Sequence, residues 1–257
     1  MEEQDSSKPQ RKGIYLLPNL FTTATLFGGF YAIIAGLGGR FSEAAIAILA
    51  AMIADSLDGR IARLTNTQSD FGKEYDSLCD MVAFGVAAGI VIYAYSLHYL
   101  SEQQWLGGKL GWVLAFAYTA CAALRLARFN TLTAISGGKN DFFGLPSPAA
   151  AAVVTFFVWS ANSWGFTGEQ VLFLACIVTL GSGLLMVSSI RYASFKKLNL
   201  TARMRFLPFA AVIGGFALIL INPPNILFLL FLAYALSGPV LTLWRRRQSR
   251  AVLGKDG

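Results

Sequence analysis

Apolar residues along this chain gather into long unbroken stretches, and no strict alternation of apolar and polar positions accompanies them. The runs are Leu17–Gly38, Phe41–Leu64, Phe71–Leu97, Leu110–Leu132, Pro148–Trp164, Val171–Ile190, Phe206–Ile221 and Ile226–Trp244. A bilayer core about 30 Å thick is crossed by about 20 helical residues. The pattern therefore predicts an all-α protein, a polytopic membrane bundle of about eight transmembrane helices, the seventh of them short. Strands are not expected, because period-two patterning is missing. The domain organisation follows: residues 1–13 form a polar tail, 14–244 one membrane domain and 245–257 a basic tail, with no internal repeat of fixed period.

Composition strengthens this reading. Hydrophobic residues make up 55% and charged residues only 14%, where a soluble domain carries about 25% charged residues. A disordered chain, a coiled coil and an ordinary cytosolic enzyme are excluded. Three scattered cysteines, Cys79, Cys121 and Cys176, exclude a disulfide scaffold.

The net charge of +7 changes meaning once its placement is known. Nineteen of the 21 Lys and Arg residues fall before the first run, after the last, or within and flanking every second connection. Arg40 and Lys109 alone are left for the opposite side. The positive-inside rule then places both termini in the cytoplasm. The basic character reads as topology and attraction to anionic lipid, not as a nucleic-acid footprint. The start, Met1-Glu2-Glu3-Gln4-Asp5, is too acidic for a signal-peptide n-region, so no cleavage is expected there.

Most acids lie in tails or loops, but four do not. Asp55 and Asp58 fall near the cytoplasmic end of the second run, Asp76 and Asp80 near that of the third, all within 26 residues. Each ionised carboxylate inside an apolar helix costs at least about 2.5–3.5 kcal/mol. Spacings of three and four put each pair on one helix face, and a turn from Thr65 to Asp70 makes the two helices antiparallel neighbours. The pairs converge. Carboxylates without His or Cys select hard cations, so Mg²⁺, Mn²⁺ and Ca²⁺ are the candidates. His98, the only histidine, stands at the far end of the third run. The competing reading pairs the acids with Arg60, Arg63 and Lys73 as structural salt bridges. Gly59 and Ala62 extend the Asp55–Asp58 face as a floor of small residues, and Arg63 is suited to bidentate phosphate contact. Together these features describe a site for a phosphate or diphosphate.

The run Asp55-x2-Asp58-Gly59-x2-Ala62-Arg63-x8-Gly72-x3-Asp76-x3-Asp80 resembles the signature of the CDP-alcohol phosphatidyltransferases at every fixed position. Flanking segments are similar to the bacterial membrane-type phosphatidylserine synthases: Leu17-Pro18-Asn19-Leu20-Phe21-Thr22, Gly72–Asp80, Ala127-Arg128-Phe129-Asn130 and Phe143–Ala149. The resemblance runs from about residue 13 to 150. It implies transfer of the phosphatidyl group of CDP-diacylglycerol to L-serine, giving phosphatidylserine and CMP. By the same resemblance Asp55, Asp58 and Asp76 are metal ligands, with Asp80 completing the cage for two ions, Mg²⁺ or Mn²⁺, and acting as general base. Asn19, Thr22, Asp58, Gly59, Ala62, Arg63 and Ser69 would bind CDP-diacylglycerol. A homodimer in the bacterial inner membrane, its active site facing the cytoplasm, is also implied. Direct in-line attack is expected, since no Ser-His or Cys-His pair is near.

The acceptor is less strongly marked. Arg125 and Arg128, three residues apart on one face, are candidates for the serine carboxylate, with lipid-headgroup anchoring as the alternative. Asn130 and Ser147 are further candidates, and the Asn140–Pro148 segment a candidate lip. Other readings are a sister enzyme taking glycerol 3-phosphate, inositol phosphate or choline, an intramembrane prenyltransferase, and a divalent-cation transporter. A prenyltransferase places acidic motifs in separate halves of the chain, whereas here the second half has no acid inside an apolar run. A transporter needs a polar path across the bilayer, and the outer halves of runs two and three are apolar.

Overall fold

The computed structural model describes residues 16–65, 69–102, 108–136, 144–190, 192, 214–215, 217 and 219–253. The 1–13 tail, most of the Phe206–Ile221 run, residues 140–143 and the last four residues lie outside the described residues. Everything regular within them is helical, and they contain no strand. The main helices are α1 (Leu16–Leu37), α2 (Phe41–Leu64), α3 (Asp70–Leu97), α4 (Leu110–Ser136), α5 (Ser147–Ser163), α6 (Leu172–Val187) and α7 (Pro223–Leu253), with a single short turn of helix at Tyr99–Glu102. Four are long and apolar enough to cross a membrane: Asn19–Leu37, Asp70–Leu97, Leu110–Leu132 and Pro223–Thr242. α6 is apolar but shorter, α5 has 17 residues, and α2 is diluted by the acids and arginines of its last three turns.

Outward faces confirm the solvent. Leu20, Phe27, Phe30 and Ile34 on α1, and Phe173, Leu174, Ile177 and Leu184 on α6, are exposed. Such contiguous apolar surface is not carried by a water-soluble monomer. The chain is a multi-pass membrane protein.

The centre of the bundle is α5. Its residues from Ala149 to Val158 are all buried, and it packs against α2, α3, α6 and α7. The chain enters it through Gly144, whose φ of +79° favours glycine and whose missing Cβ leaves room for the Met186 carbonyl. Leu145 N–H donates to the Leu185 carbonyl at 2.9 Å, fixing this entry against the end of α6. α1 and α2 form the tightest hairpin, and α1 also crosses α3. At that crossing a Cβ on Gly29 would fall 2.5 Å from Ala83 Cα. Without a hydrophobic force between helices in lipid, small residues and close backbones do the packing. Gly181 differs: a Cβ there meets nothing.

α3 is not a regular α-helix throughout. Met81–Val86 and Tyr93–Leu97 run as π-helical turns, with the Ala87 N–H on the Val82 carbonyl five residues back. The first follows Asp80 directly. At the second, the Tyr95 hydroxyl donates to the Phe166 carbonyl at 2.6 Å and Ser96 Oγ to the Gly168 carbonyl at 2.6 Å, tying the far end of α3 to the α5–α6 connection.

Candidate active site

The last three turns of α2 carry Asp55 and Asp58, and the first three turns of α3 carry Asp76 and Asp80. The start of α3 is set by Ser69, extended at φ −131°, whose Oγ accepts from the Gly72 N–H at 3.0 Å. An N-cap of this kind satisfies a donor the helix itself cannot, and it fixes which face the two aspartates share.

One carboxylate oxygen from each of Asp55, Asp76 and Asp80 lies within 4.8 Å of the others. Asp76 Oδ1 and Asp80 Oδ1 are buried and have no hydrogen-bond partner. Asp58, the fourth predicted ligand, is not within this 4.8 Å group but lies beside it: it is 5% exposed, its charge reaches Asp76 and Asp55, and its Oδ2 accepts from Thr22 Oγ1 at 2.8 Å. The ion pair within 4.0 Å among the described residues is Arg40–Glu43, at the opposite end of α2. Arg60 and Lys73 therefore do not pair with the cage, and the Arg63 side chain lies outside the described residues. Buried carboxylate oxygens left unpartnered are costly. An oxygen-only donor set clustered this closely fits a divalent hard cation, not a structural salt bridge.

The space beside the cage is open. Gly59 is exposed, and a Cβ built on it would meet nothing. Asn19 on α1 faces the same corner, its Oδ1 3.6 Å from where a Gly72 Cβ would sit, next to Ser69 Oγ. Ala62 is half-buried further along α2. Asn19 and Ser69 thus gather at Gly72, at the start of α3. Thr22 faces inward, 3% exposed, and holds Asp58.

The two candidate arginines separate. Arg125 turns toward the cage: its charge reaches Asp80 and Asp55, Nη1 donates to Ser147 Oγ at 2.5 Å, and its guanidinium stands 6.0 Å from the Phe129 ring centroid. Arg128 Nη1 donates to the Val187 carbonyl at 3.3 Å, at the end of α6, where a cation suits the helix dipole. Asn130 Nδ2 donates to Ser77 Oγ at 2.9 Å, linking α4 to the residue after Asp76. Cys79, between the acids, is 1% exposed and packs as a small core residue. His98 lies far away, against Tyr93 and Tyr99. The Thr22–Asp58 bond had a sequence signal only in hindsight: a threonine one helix turn from Asn19, on the α1 face that meets α2.

A helical membrane protein with a clustered, cation-fitting set of carboxylates beside an open floor of small residues is the class that fold and site define. Residues 15–181 match the CDP-alcohol phosphatidyltransferase family, and the chain belongs to it. A CDP-diacylglycerol–serine O-phosphatidyltransferase of Helicobacter pylori is 37% identical over 233 residues, covering 90% of this chain and 92% of that protein. An enzyme of the same description from Mycobacterium leprae is 31% identical over 229 residues, covering 86% and 73%. Archaetidylserine synthase of Methanothermobacter thermautotrophicus is 36% identical over 178 residues, covering 68% and 69%.

Proposed function

We propose that this protein transfers the phosphatidyl group of CDP-diacylglycerol to the hydroxyl of L-serine, releasing CMP and forming phosphatidylserine. One observation carries the reading: the unpartnered, buried oxygens of Asp76 and Asp80, clustered with a carboxylate oxygen of Asp55. The relatives named above supply the acceptor.

In the reaction the serine oxygen forms a bond to the phosphorus that bears diacylglycerol, while the bond from that phosphorus to the CMP oxygen breaks on the opposite side. The proton of the serine hydroxyl passes to Asp80. A positioned base of this kind contributes about 10²–10⁴-fold. Asp55, Asp58, Asp76 and Asp80 would hold two divalent ions, Mg²⁺ or Mn²⁺, which would neutralise charge on the diphosphate. Thr22 keeps Asp58 in one rotamer. Asn19, Gly59, Ala62, Arg63 and Ser69 receive the nucleotide and its phosphates. Arg125, set by Ser147, receives the serine carboxylate. Among the described residues it is the basic side chain whose charge reaches Asp55 and Asp80. A single guanidinium suits a carboxylate better than the phosphomonoester of a sister enzyme's acceptor.

The same proposal extends to the setting: eight spans, both termini and the cage in the cytoplasm, a homodimer in a bacterial inner membrane, and the domain limits 1–13, 14–244 and 245–257. Purified protein given labelled serine, CDP-diacylglycerol and Mn²⁺ or Mg²⁺ should produce labelled lipid and stoichiometric CMP, and chelation should abolish both. Lipid formed only with glycerol 3-phosphate would overturn the serine assignment.

A further inference from the structure

We infer that Tyr118 is a positioning residue for Asp80, acting through the π-helical turn that follows it. The inference rests on the reading of Asp80 as cation ligand and base.

α3 carries Asp76 and Asp80 in regular α geometry and then changes register at once, over Met81–Val86. A π-turn holds one residue more than an α-turn, so everything beyond it is carried round by one residue step, about 100°. Two demands are met by that step. Asp76 and Asp80 face the acids of α2, while Ala83, Phe84, Ala87, Ala88 and Val91 are all buried in the bundle. In an uninterrupted α-helix the burial of that apolar run would set the rotation of Asp80.

A π-turn is rare and short because its geometry is less favourable than the α-helix around it, so a neighbour has to hold it. α4 does so. The Tyr118 hydroxyl donates to the Phe84 carbonyl at 2.9 Å, with both residues completely enclosed (1% and 0% exposed). Thr119 Oγ1 shares its single proton between the Ala115 carbonyl of its own helix, at 3.0 Å, and the next carbonyl of α3, that of Gly85, at 3.3 Å. Arg125 lies seven residues beyond Tyr118, two turns along the same face, and reaches the cage. One face of α4 therefore pins the register of α3 just below Asp80 and presents a guanidinium above it. A phenylalanine would fill the same apolar space, so the buried hydroxyl is the feature that calls for a role.

Tyr95 supplies a control on α3 itself. It stands in the second π-turn, far from the cage, and its hydroxyl donates, in a part-buried bond, to the Phe166 carbonyl of the α5–α6 connection. Full-length Tyr118→Phe and Tyr95→Phe, purified in detergent, are to be titrated with Mn²⁺ alone by electron paramagnetic resonance and assayed for turnover. Tyr118→Phe should bind Mn²⁺ about tenfold more weakly, the scale of one lost hydrogen bond. Its kcat should fall by a similar or larger factor, while KM for CDP-diacylglycerol stays within about twofold. Tyr95→Phe should change none of these. Equal Mn²⁺ affinity and equal kcat in the two variants would overturn the inference. If Tyr118→Phe does not fold, Thr119→Val takes its place: it should weaken Mn²⁺ binding in the same direction by a smaller factor, and unchanged affinity there is equally fatal. The Mn²⁺ titration needs no turnover. Wild-type protein that binds Mn²⁺ but leaves serine unreacted would sink the proposed function and leave the Tyr118 comparison intact.

Discussion

Asp58 and Asp80 share a motif but not an environment. Asp58 has its Oδ2 held by Thr22, whereas Asp80 keeps a buried oxygen without a partner. Their amide variants should therefore differ. Asp80→Asn should lower kcat at least about 10²-fold, the contribution of a positioned base, while CDP still binds. Asp58→Asn should lose metal-dependent CDP binding, and Thr22 would then face an amide in place of a charge. Initial rates and CDP titrations with and without Mn²⁺ check both, and wild-type behaviour in both variants would refute the cage. Residues of this kind were legible because a carboxylate inside an apolar run has no bland explanation. Arg125 and Arg128 were not separable in the same way. Three residues apart, they share a face on paper, yet α5 offers Ser147 to one and α6 a carbonyl to the other. Which neighbour each meets is a property of packing, not of spacing.

At the scale of the helix, some apolar runs match closely, Phe41–Leu64 coinciding with α2 and Leu110–Leu132 lying inside α4, whereas α7 continues past the Ile226–Trp244 run to Leu253 and most of the Phe206–Ile221 run lies outside the described residues. Length is a robust signal because lipid forces every backbone group into an internal hydrogen bond. The π-turns of α3 left no trace in the pattern, since hydropathy records which residues are apolar and not which carbonyl each N–H meets. Small residues were legible as packing sites, but not which of them are indispensable. Gly29 sits against Ala83 with no room for a side chain, while Gly181 has open space. Gly29→Val should push α1 off α3 and cost about 1–3 kcal/mol, as overpacking does. Its unfolding midpoint in detergent should drop by several degrees, and Gly181→Ala should leave the midpoint unchanged. Equal midpoints would show that the crossing yields easily.

For the whole molecule, the alternation of basic residues predicts an orientation that can be read chemically. Thr65 at the end of α2 and Lys109 before α4 are both exposed and lie at opposite ends of the bundle. In intact cells, a membrane-impermeant maleimide should label Lys109→Cys and spare Thr65→Cys. Inverted vesicles should reverse the result, and the opposite pattern would invert the topology. The existence of a bundle was plain from composition, but its centre was not. Nothing in the Pro148–Trp164 run marks it as the helix the others surround, because alanine and valine serve equally well against lipid and against protein.

That central position has a consequence for how the protein lives in different membranes. α5 has 17 residues and almost no surface left for acyl chains, so bilayer thickness cannot act on it directly. Hydrophobic mismatch falls on the peripheral helices, which answer by tilting at a cost of fractions of a kcal/mol per Å. Moved to a thicker or thinner host membrane, the periphery adjusts its lean around a pillar that does not feel the change.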